Sequence, residues 1–379
     1  MIKSFKVRIY PTTEQEALMW KHINCCRYVW NYMLALQEER YTNGEKHLSR
    51  FDMVKLLPLL KKDGEHDWLY EVSSMTLQIV CSELSEAYRR LFNKIAKKPQ
   101  FQSKKKAKQS FGINYQNFYF KNESHVNIEK LGSVRYKTDF DFPIGRGFKF
   151  INPRISYKND KWMLSFGMEC ENQAPCLTDK KVGIDLGIKE LAVVAIDDEK
   201  LVFHNINKSK KMRTLNEQLK HTQRAISRKY QANKVGNKFV KTRNIERLED
   251  KLRKLRARIS DIRKNYIHQA THKIVSMLPS RVIMEDLNVS GMLKNRHLSK
   301  AISEQCFYQF IRQMRYKCAW NGIEFVQANR FYPSSKTCSH CGCIKHDLKL
   351  SDRTFVCNDC GFTIDRDYNA AINLMRYEA

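Results

Sequence analysis

The chain has 379 residues, with 68 Lys and Arg against 40 Asp and Glu, a net +28, and an apolar content of 42%. That length allows two or three domains with a sizeable core, and the charge excess points to a polyanionic partner, most simply nucleic acid. No run of about 18 apolar residues and no signal-peptide pattern is present, which argues against a membrane partner and for an intracellular protein; the twelve cysteines are then thiols or metal ligands, not a disulfide framework.

Lys3 to Tyr10 alternates apolar and polar residues and predicts a strand, ended by Pro11. Thr12 and Thr13 followed by Gln15 and Glu16 predict a capped helix running to Leu34. Further helical patterns at 51–62 and 74–96 make residues 11–110 a helical module, and the adjacent Cys25 and Cys26 read as packing. The basic run 97–108 is followed by Phe111, Tyr115, Phe118, Tyr119 and Phe120; cations beside aromatic faces suit a phosphate backbone with unstacked bases. From Phe111 to Glu169 the period becomes two, with hairpin turns expected at Asn159-Asp160 and at Gly145–Gly147. These strands, joined by the one at 3–10, predict a small β-barrel from residues 1–10 and 111–172.

Residues 171–180 read as a linker. KVGIDLGIKE then opens a third unit, with Asp185 ending a short apolar strand between Gly183 and Gly187. The apolar run Leu191–Ile196 makes this a hairpin, and a strand follows at Leu201–His204. Leu215, Leu219 and Ile226, then Ile245, Leu248, Leu252, Leu255, Ile259, Ile262 and Tyr266, recur at three and four residues and predict two packed helices with a turn at Gly236. Arg281–Met284 is a strand ending in Glu285. A helix at 299–320, a strand at 323–327 and a final helix at Asp367 complete the order. This is the order of ribonuclease-H-like folds, in which the first and fourth strands are parallel neighbours, and it would bring Asp185 close to Glu285. A buried Asp wants a cation, and Mg²⁺ takes oxygen ligands. Asp185, Glu285 and Asp367 are therefore the candidate Mg²⁺ ligands and catalytic acids for cutting a phosphodiester. Two local alternatives stand beside this: Asp365 or Asp367 as a helix cap, and Asp286 in place of Glu285.

Cys338-x-x-Cys341 and Cys357-x-x-Cys360 are two pairs, each followed by Gly. The spacing is that of a zinc ribbon, a closed tetrahedral Zn²⁺ site of four thiolates, inserted at 338–360. His340 and Cys343 are nearby alternative ligands, and with all four positions filled the zinc would be structural.

GIDLG at 183–187, EDL at 285–287, FYPSSKTCSHCG at 331–342 and DRDYNAAINL at 365–374 resemble the TnpB family of transposon-encoded nucleases, related to type V CRISPR nucleases and to Fanzor proteins. YPTTEQE at 10–16, the NCCRYVWN helix and FQSKKK at 101–106 extend the resemblance over nearly the whole chain. It implies an α+β multidomain protein: a wedge barrel, the inserted helical recognition module at 11–110, and a single RuvC nuclease domain at 173–337 and 361–379 with a helical insertion and a zinc ribbon. It implies an omega (right-end-element) guide RNA, double-stranded target DNA, recognition of a transposon-adjacent motif, and RuvC acids at Asp185, Glu285 and Asp367, with Asp367 favoured over Asp365. The intact triad argues against the alternative of a nuclease-inactive guided repressor, and the zinc ribbon before the last acid together with the basic N-terminal half argues against that of a strand-transferring transposase.

Overall fold

The computed structural model describes residues 1–171, 175–349 and 352–378; residues 172–174 of the expected linker and 350–351 of the expected ribbon lie outside the described residues. Contacts divide the chain into two units, 1–171 and 172–379.

In the first unit, β1 (Ile2–Tyr10) turns Phe5, Val7 and Ile9 inward at period two. Thr12 caps α1 (Thr13–Thr42): its hydroxyl accepts from the Gln15 N–H and the Gln15 side chain accepts from its own N–H. The helix continues past the expected end at Leu34 because no glycine or proline intervenes before Gly44. α2 (Arg50–Lys61) and α3 (Ser74–Phe92) follow. α3 stops short of Ala96, with Asn93 at its end and Lys94 at φ 57°. Cys25, Cys26 and Cys81 are buried packing groups.

β2 (Ser110–Gly112), β3 (Tyr119–Asn122), β4 (His125–Ile128), β5 (Gly132–Lys137), β6 (Phe150–Lys158) and β7 (Lys161–Glu169) join β1 in an antiparallel sheet ordered β2-β6-β7-β1-β5-β4-β3. β1 pairs with β7 from Ile2↔Glu169 to Ile9↔Trp162, and with β5 at its far end. Asn159 and Asp160, at φ 53° and 58°, close the β6–β7 hairpin with the positive φ pair of a type I′ turn. Gly145–Gly147 closes no hairpin, because β5 and β6 on either side of it are separated by β1 and β7.

Phe120 on the edge strand β3 lies 5.4 Å from Phe166 on β7 and from Phe150 on β6. Four strand spacings would put β3 about 19 Å from β7 in a flat sheet, so the sheet curls until its edge faces its other half. Phe118 and Phe142 fill the same interior. This corrects the reading of the aromatic run: Phe111, Phe118 and Phe120 are core side chains, whereas Tyr115 stays exposed. The helices share this core, as where Trp20 packs on Tyr157 and Trp162.

The second unit opens with β8 (Thr178–Leu186), β9 (Glu190–Ile196) and β10 (Glu199–His204). Next come α4 (Lys210–Ala232), the small hairpin β11 (Lys234–Val235) and β12 (Lys238–Phe239), and α5 (Arg243–Val275). β13 (Pro279–Glu285), α6 (Val289–Met292), α7 (Ser299–Gln305), α8 (Phe307–Trp320) and β14 (Glu324–Ala328) precede the hairpin β15 (Thr354–Val356) and β16 (Thr363–Asp365), and α9 (Arg366–Met375). The sheet order is β10-β9-β8-β13-β14; the first three strands meander antiparallel, and β8, β13 and β14 are parallel. β8 begins at Thr178 rather than Lys181, since Thr178 pairs with Pro279 and its hydroxyl donates to the Leu278 carbonyl. The helix expected over 299–320 is two helices, split at Cys306, whose φ of 55° and ψ of 41° are left-handed.

The two sheet faces have different covers. Val182, Ile184, Val282 and Met284 pack with Ile267 and Ile274 of α5 and with Phe307, Phe310 and Met314 of α8. On the other face Val193, Ala195 and Ile283 receive Ala371 and Leu374 of α9. Gly183 sits beneath this helix: a Cβ there would lie 2.0 Å from the Ala371 carbonyl oxygen and 2.3 Å from the Met375 nitrogen. Gly183→Ala must therefore push α9 off the sheet. Overpacking typically costs about 1–3 kcal/mol, so its melting temperature should fall by about 2–4 °C per kcal/mol; a melt superimposing on wild type would mean that α9 shifts freely.

Candidate active site and metal centre

Strand alternation sets the acids. Gly183 faces α9, so Asp185, two residues on, faces the same way. β13 runs parallel to β8 with Ile283 opposite Gly183 and Met284 opposite Ile184; one step further along that register Glu285 comes beside Asp185, a strand spacing of about 4.8 Å away. α9 crosses this face and carries Asp367 in its first turn. All three side chains are partly buried. Burial pushes the Asp185 carboxyl well above the usual carboxylate range, and Glu285 and then Asp367 push it the same way, while Arg366 opposes them. The structure thus brings Glu285 and Asp367, two of the three sequence-predicted acids, within electrostatic reach of the third, Asp185. The fit to a cation follows from this donor set: three partly buried carboxylates, one of which, Asp185, has its charge disfavoured until a positive ion arrives. Their oxygens do not all come within 4.8 Å, which among the described residues only the cysteine cluster below achieves.

The local alternatives separate by their partners. Asp365 is the cap of α9, accepting from the Tyr368 N–H at 2.9 Å, with Lys200 Nζ at 3.3 Å. Asp367 is not the cap; the Arg366 Nε lies 3.6 Å from it. Asp286 pairs with Arg330 at 2.5 Å beside an open depression of about 570 Å³ that also includes Phe331, 88% exposed. Glu285 instead accepts from the Ser334 hydroxyl at 2.6 Å.

Several positioning groups carry no obvious signal in the sequence. Gln305, just before the break at Cys306, is 3% exposed and donates to the Gly187 and Ile188 carbonyls, each at 3.0 Å, holding the loop that follows Asp185. Ser334, Asn369 and Asn373 are likewise buried polar groups with partners next to the acids. The spacing Asn369-x-x-x-Asn373 could have marked them, as two amides on one face of an otherwise apolar helix.

Cys338, Cys341, Cys357 and Cys360 converge with all four sulfurs within 4.8 Å. Cys338 and Cys360 Sγ are 3.8 Å apart, and Cys341 and Cys357 Sγ are 3.5 Å apart. A tetrahedron with Zn–S of about 2.3 Å has sulfur edges of about 3.8 Å, so the donor set fits zinc. The Cys341 thiol is drawn down to about 6, first by the backbone hydrogen bond at Cys343 and then by its neighbouring thiols, ready to bind as thiolate. Cys343 contributes its carbonyl, which accepts from the Cys338 N–H at 2.8 Å. His340 stacks on Phe362 at 5.4 Å. Neither belongs to the four-sulfur cluster.

Three family models match the chain: an OrfB_IS605 "Helix-turn-helix domain" over residues 1–46, an OrfB_IS605 "Probable transposase" over 165–296, and a "Cas12f1-like, TNB domain" over 307–374. A "Putative RNA-guided DNA endonuclease" of Streptomyces pristinaespiralis is 30% identical over 377 residues, covering 98% of this chain and 88% of that protein. The "Putative RNA-guided DNA endonuclease InsQ" of Escherichia coli (strain K12) is 30% identical over 392 residues, covering 99% and 92%. "TnpB-like protein L770" of Acanthamoeba polyphaga mimivirus is 22% identical over 417 residues, covering 99% and 73%.

Proposed function

The chain belongs to the TnpB family, and on that premise we propose that it is an RNA-guided DNA endonuclease that hydrolyses phosphodiesters at Asp185, Glu285 and Asp367. The observation that carries the reading is the convergence of these acids, distant in sequence, on one sheet face, where Glu285 and Asp367 both perturb Asp185. The two relatives of 30% identity are named as RNA-guided DNA endonucleases and span nearly the whole chain. The charge of +28 supplies the means to hold two nucleic acids, and on α4 Lys211, Arg213, Lys220, Arg224, Arg228 and Lys229 are exposed. No helix among the described residues is long and apolar enough to cross a membrane.

The finer assignment is a single RuvC, ribonuclease-H-like nuclease over 173–337 and 361–379, with a zinc ribbon at 338–360, a recognition module at 11–110 and a wedge barrel from 1–10 and 111–172. The guide is an omega RNA, and target DNA is entered at a transposon-adjacent motif. Mg²⁺ held by Asp185, Glu285 and Asp367 would supply Lewis-acid stabilisation of the phosphoryl oxygens and a water of lowered pKa. The protein's own part is positioning. Asp185 bears its charge at the centre of the trio, the Ser334 hydroxyl fixes one Glu285 oxygen and leaves the other open, and Gln305 fixes the loop beyond Asp185.

The test is cleavage of a plasmid carrying the target and adjacent motif by the chain purified with its transposon-end RNA. A linear product is expected with Mg²⁺ and none without it. Tight binding without cutting would favour the repressor reading, and strand-transfer products the transposase reading. Target binding should also fall by about 10³–10⁵ between 50 and 200 mM salt if six to ten phosphates are neutralised; a flat response would mean the excess charge serves something else.

A further inference from the structure

We infer that Ser334 is a positioning residue for Glu285, and that segment 334–339, buried at Ser334, Cys338 and Ser339, is a strap tying Glu285 to the helix that carries Asp367. The inference rests on the proposed function and deepens it. Ser334 is 2% exposed, and its hydroxyl donates to Glu285 Oε1 at 2.6 Å. Its own carbonyl accepts from Asn373 Nδ2 at 2.7 Å. The same amide donates to the Thr337 carbonyl at 2.6 Å, and Asn369 Nδ2 reaches that carbonyl at 2.7 Å. Asn369 Oδ1 accepts from the Ser339 N–H at 2.9 Å. Asn369 and Asn373 are 0% and 5% exposed, one turn apart on α9, and Asp367 lies two residues before the first of them.

Buried amides and hydroxyls persist where every member has a partner, and such networks hold one geometry. Here the network has a direction. Asp185 is fixed by its strand. Glu285 sits at the end of β13, where a long side chain is free to swing, and Asp367 moves with α9. The strap removes both freedoms: Ser334 holds the Glu285 carboxylate, and the two asparagines clamp α9 to the same segment. A bare ionic patch would need no such scaffold, whereas a site that must offer oxygens at set places to a divalent cation does. Partners of metal-ligating carboxylates typically contribute about 10–100-fold in metal affinity.

The probe is Mn²⁺, titrated calorimetrically or by electron paramagnetic resonance into the full-length chain without nucleic acid, with thermal melts alongside. Ser334→Ala should weaken Mn²⁺ binding by about 10–100-fold while still melting cooperatively, and Ser334→Thr, which keeps the hydroxyl, should restore it. In a Glu285→Gln background Ser334→Ala should cost little more, because the residue acts through that carboxylate. Unchanged Mn²⁺ affinity, or an equal loss in both backgrounds, would overturn the inference. So would a Ser334→Ala chain with no cooperative melt, since the residue would then hold the fold and not the acid. A wild-type chain that neither binds Mn²⁺ nor cuts would instead bring down the proposed function itself.

Discussion

Asp185→Asn is expected to abolish DNA cleavage, by about three orders of magnitude or more, while making the metal-free protein more stable. The loss follows from removing the central ligand of the proposed cation, which would contribute several kcal/mol to transition-state charge stabilisation. The gain follows from electrostatics. Burial, then Glu285 and Asp367, raise the Asp185 carboxyl well above its ordinary range. An acid with a raised folded value contributes stability that is fully present below about pH 4, the unfolded value. That contribution is lost as pH climbs through the raised folded value. In magnesium-free buffer wild-type stability should therefore decline with rising pH above the ordinary carboxyl range. The Asp185→Asn chain should show a flatter slope and a higher melting temperature at pH 7. Mg²⁺ should stabilise wild type and release protons as it binds, and should do neither for the variant. Scanning calorimetry across pH and plasmid cleavage together check this; a variant that melts lower than wild type at pH 7 would make Asp185 a structural group.

The second large effect concerns the cysteines. Cys357→Ser is expected to lose one equivalent of zinc per chain and to unfold the ribbon locally. The core there is small among the described residues: Phe355 is fully buried with Cys338 and Cys357, and Leu348, Phe362 and Ile364 pack around it. So little apolar surface does not fold a segment alone, whereas structural zinc contributes about 10–16 kcal/mol in small zinc-binding peptides. Because Cys338 of the first C-x-x-C pair lies within segment 334–339, cleavage should fall as well. Metal analysis by plasma mass spectrometry and hydrogen exchange at β15 and β16 are the measurements. Wild-type protein free of zinc, with slow exchange there, would remove the site.

What could be read in advance was local chemistry with a fixed spacing. The Thr12–Gln15 capping box, the Asn159-Asp160 turn, the paired C-x-x-C knuckles and acids at the ends of short apolar strands each carry their reason within a few residues. The misses share a different cause. Cys306 breaks a helix with neither glycine nor proline to announce it; its left-handed backbone follows directly on Gln305, whose amide is held by the loop beyond Asp185. Phe111, Phe118 and Phe120 could face a nucleic acid or a core, and only the curl of the sheet decides. The glycines at 145 and 147 signal a turn, but adjacency in sequence does not make β5 and β6 neighbours in the sheet, where β1 and β7 lie between them. Gly183 stands in the sequence beside Asp185, but that it makes room for α9 is decided by the packing alone.

The placement of β1 constrains how the first unit can form. Its hydrogen-bonded partners include Glu169, and the Met1 amino group bonds to the Cys170 carbonyl across 169 residues. A central strand that waits for a partner so far along the polypeptide gives the unit a high contact order, and its folding should be slow and all-or-none rather than helix by helix. Deleting the first ten residues would split the sheet down its middle and not merely trim an edge, leaving β5 and β7 with bare backbone groups open to another copy. Truncations that remove β1 are therefore expected to aggregate.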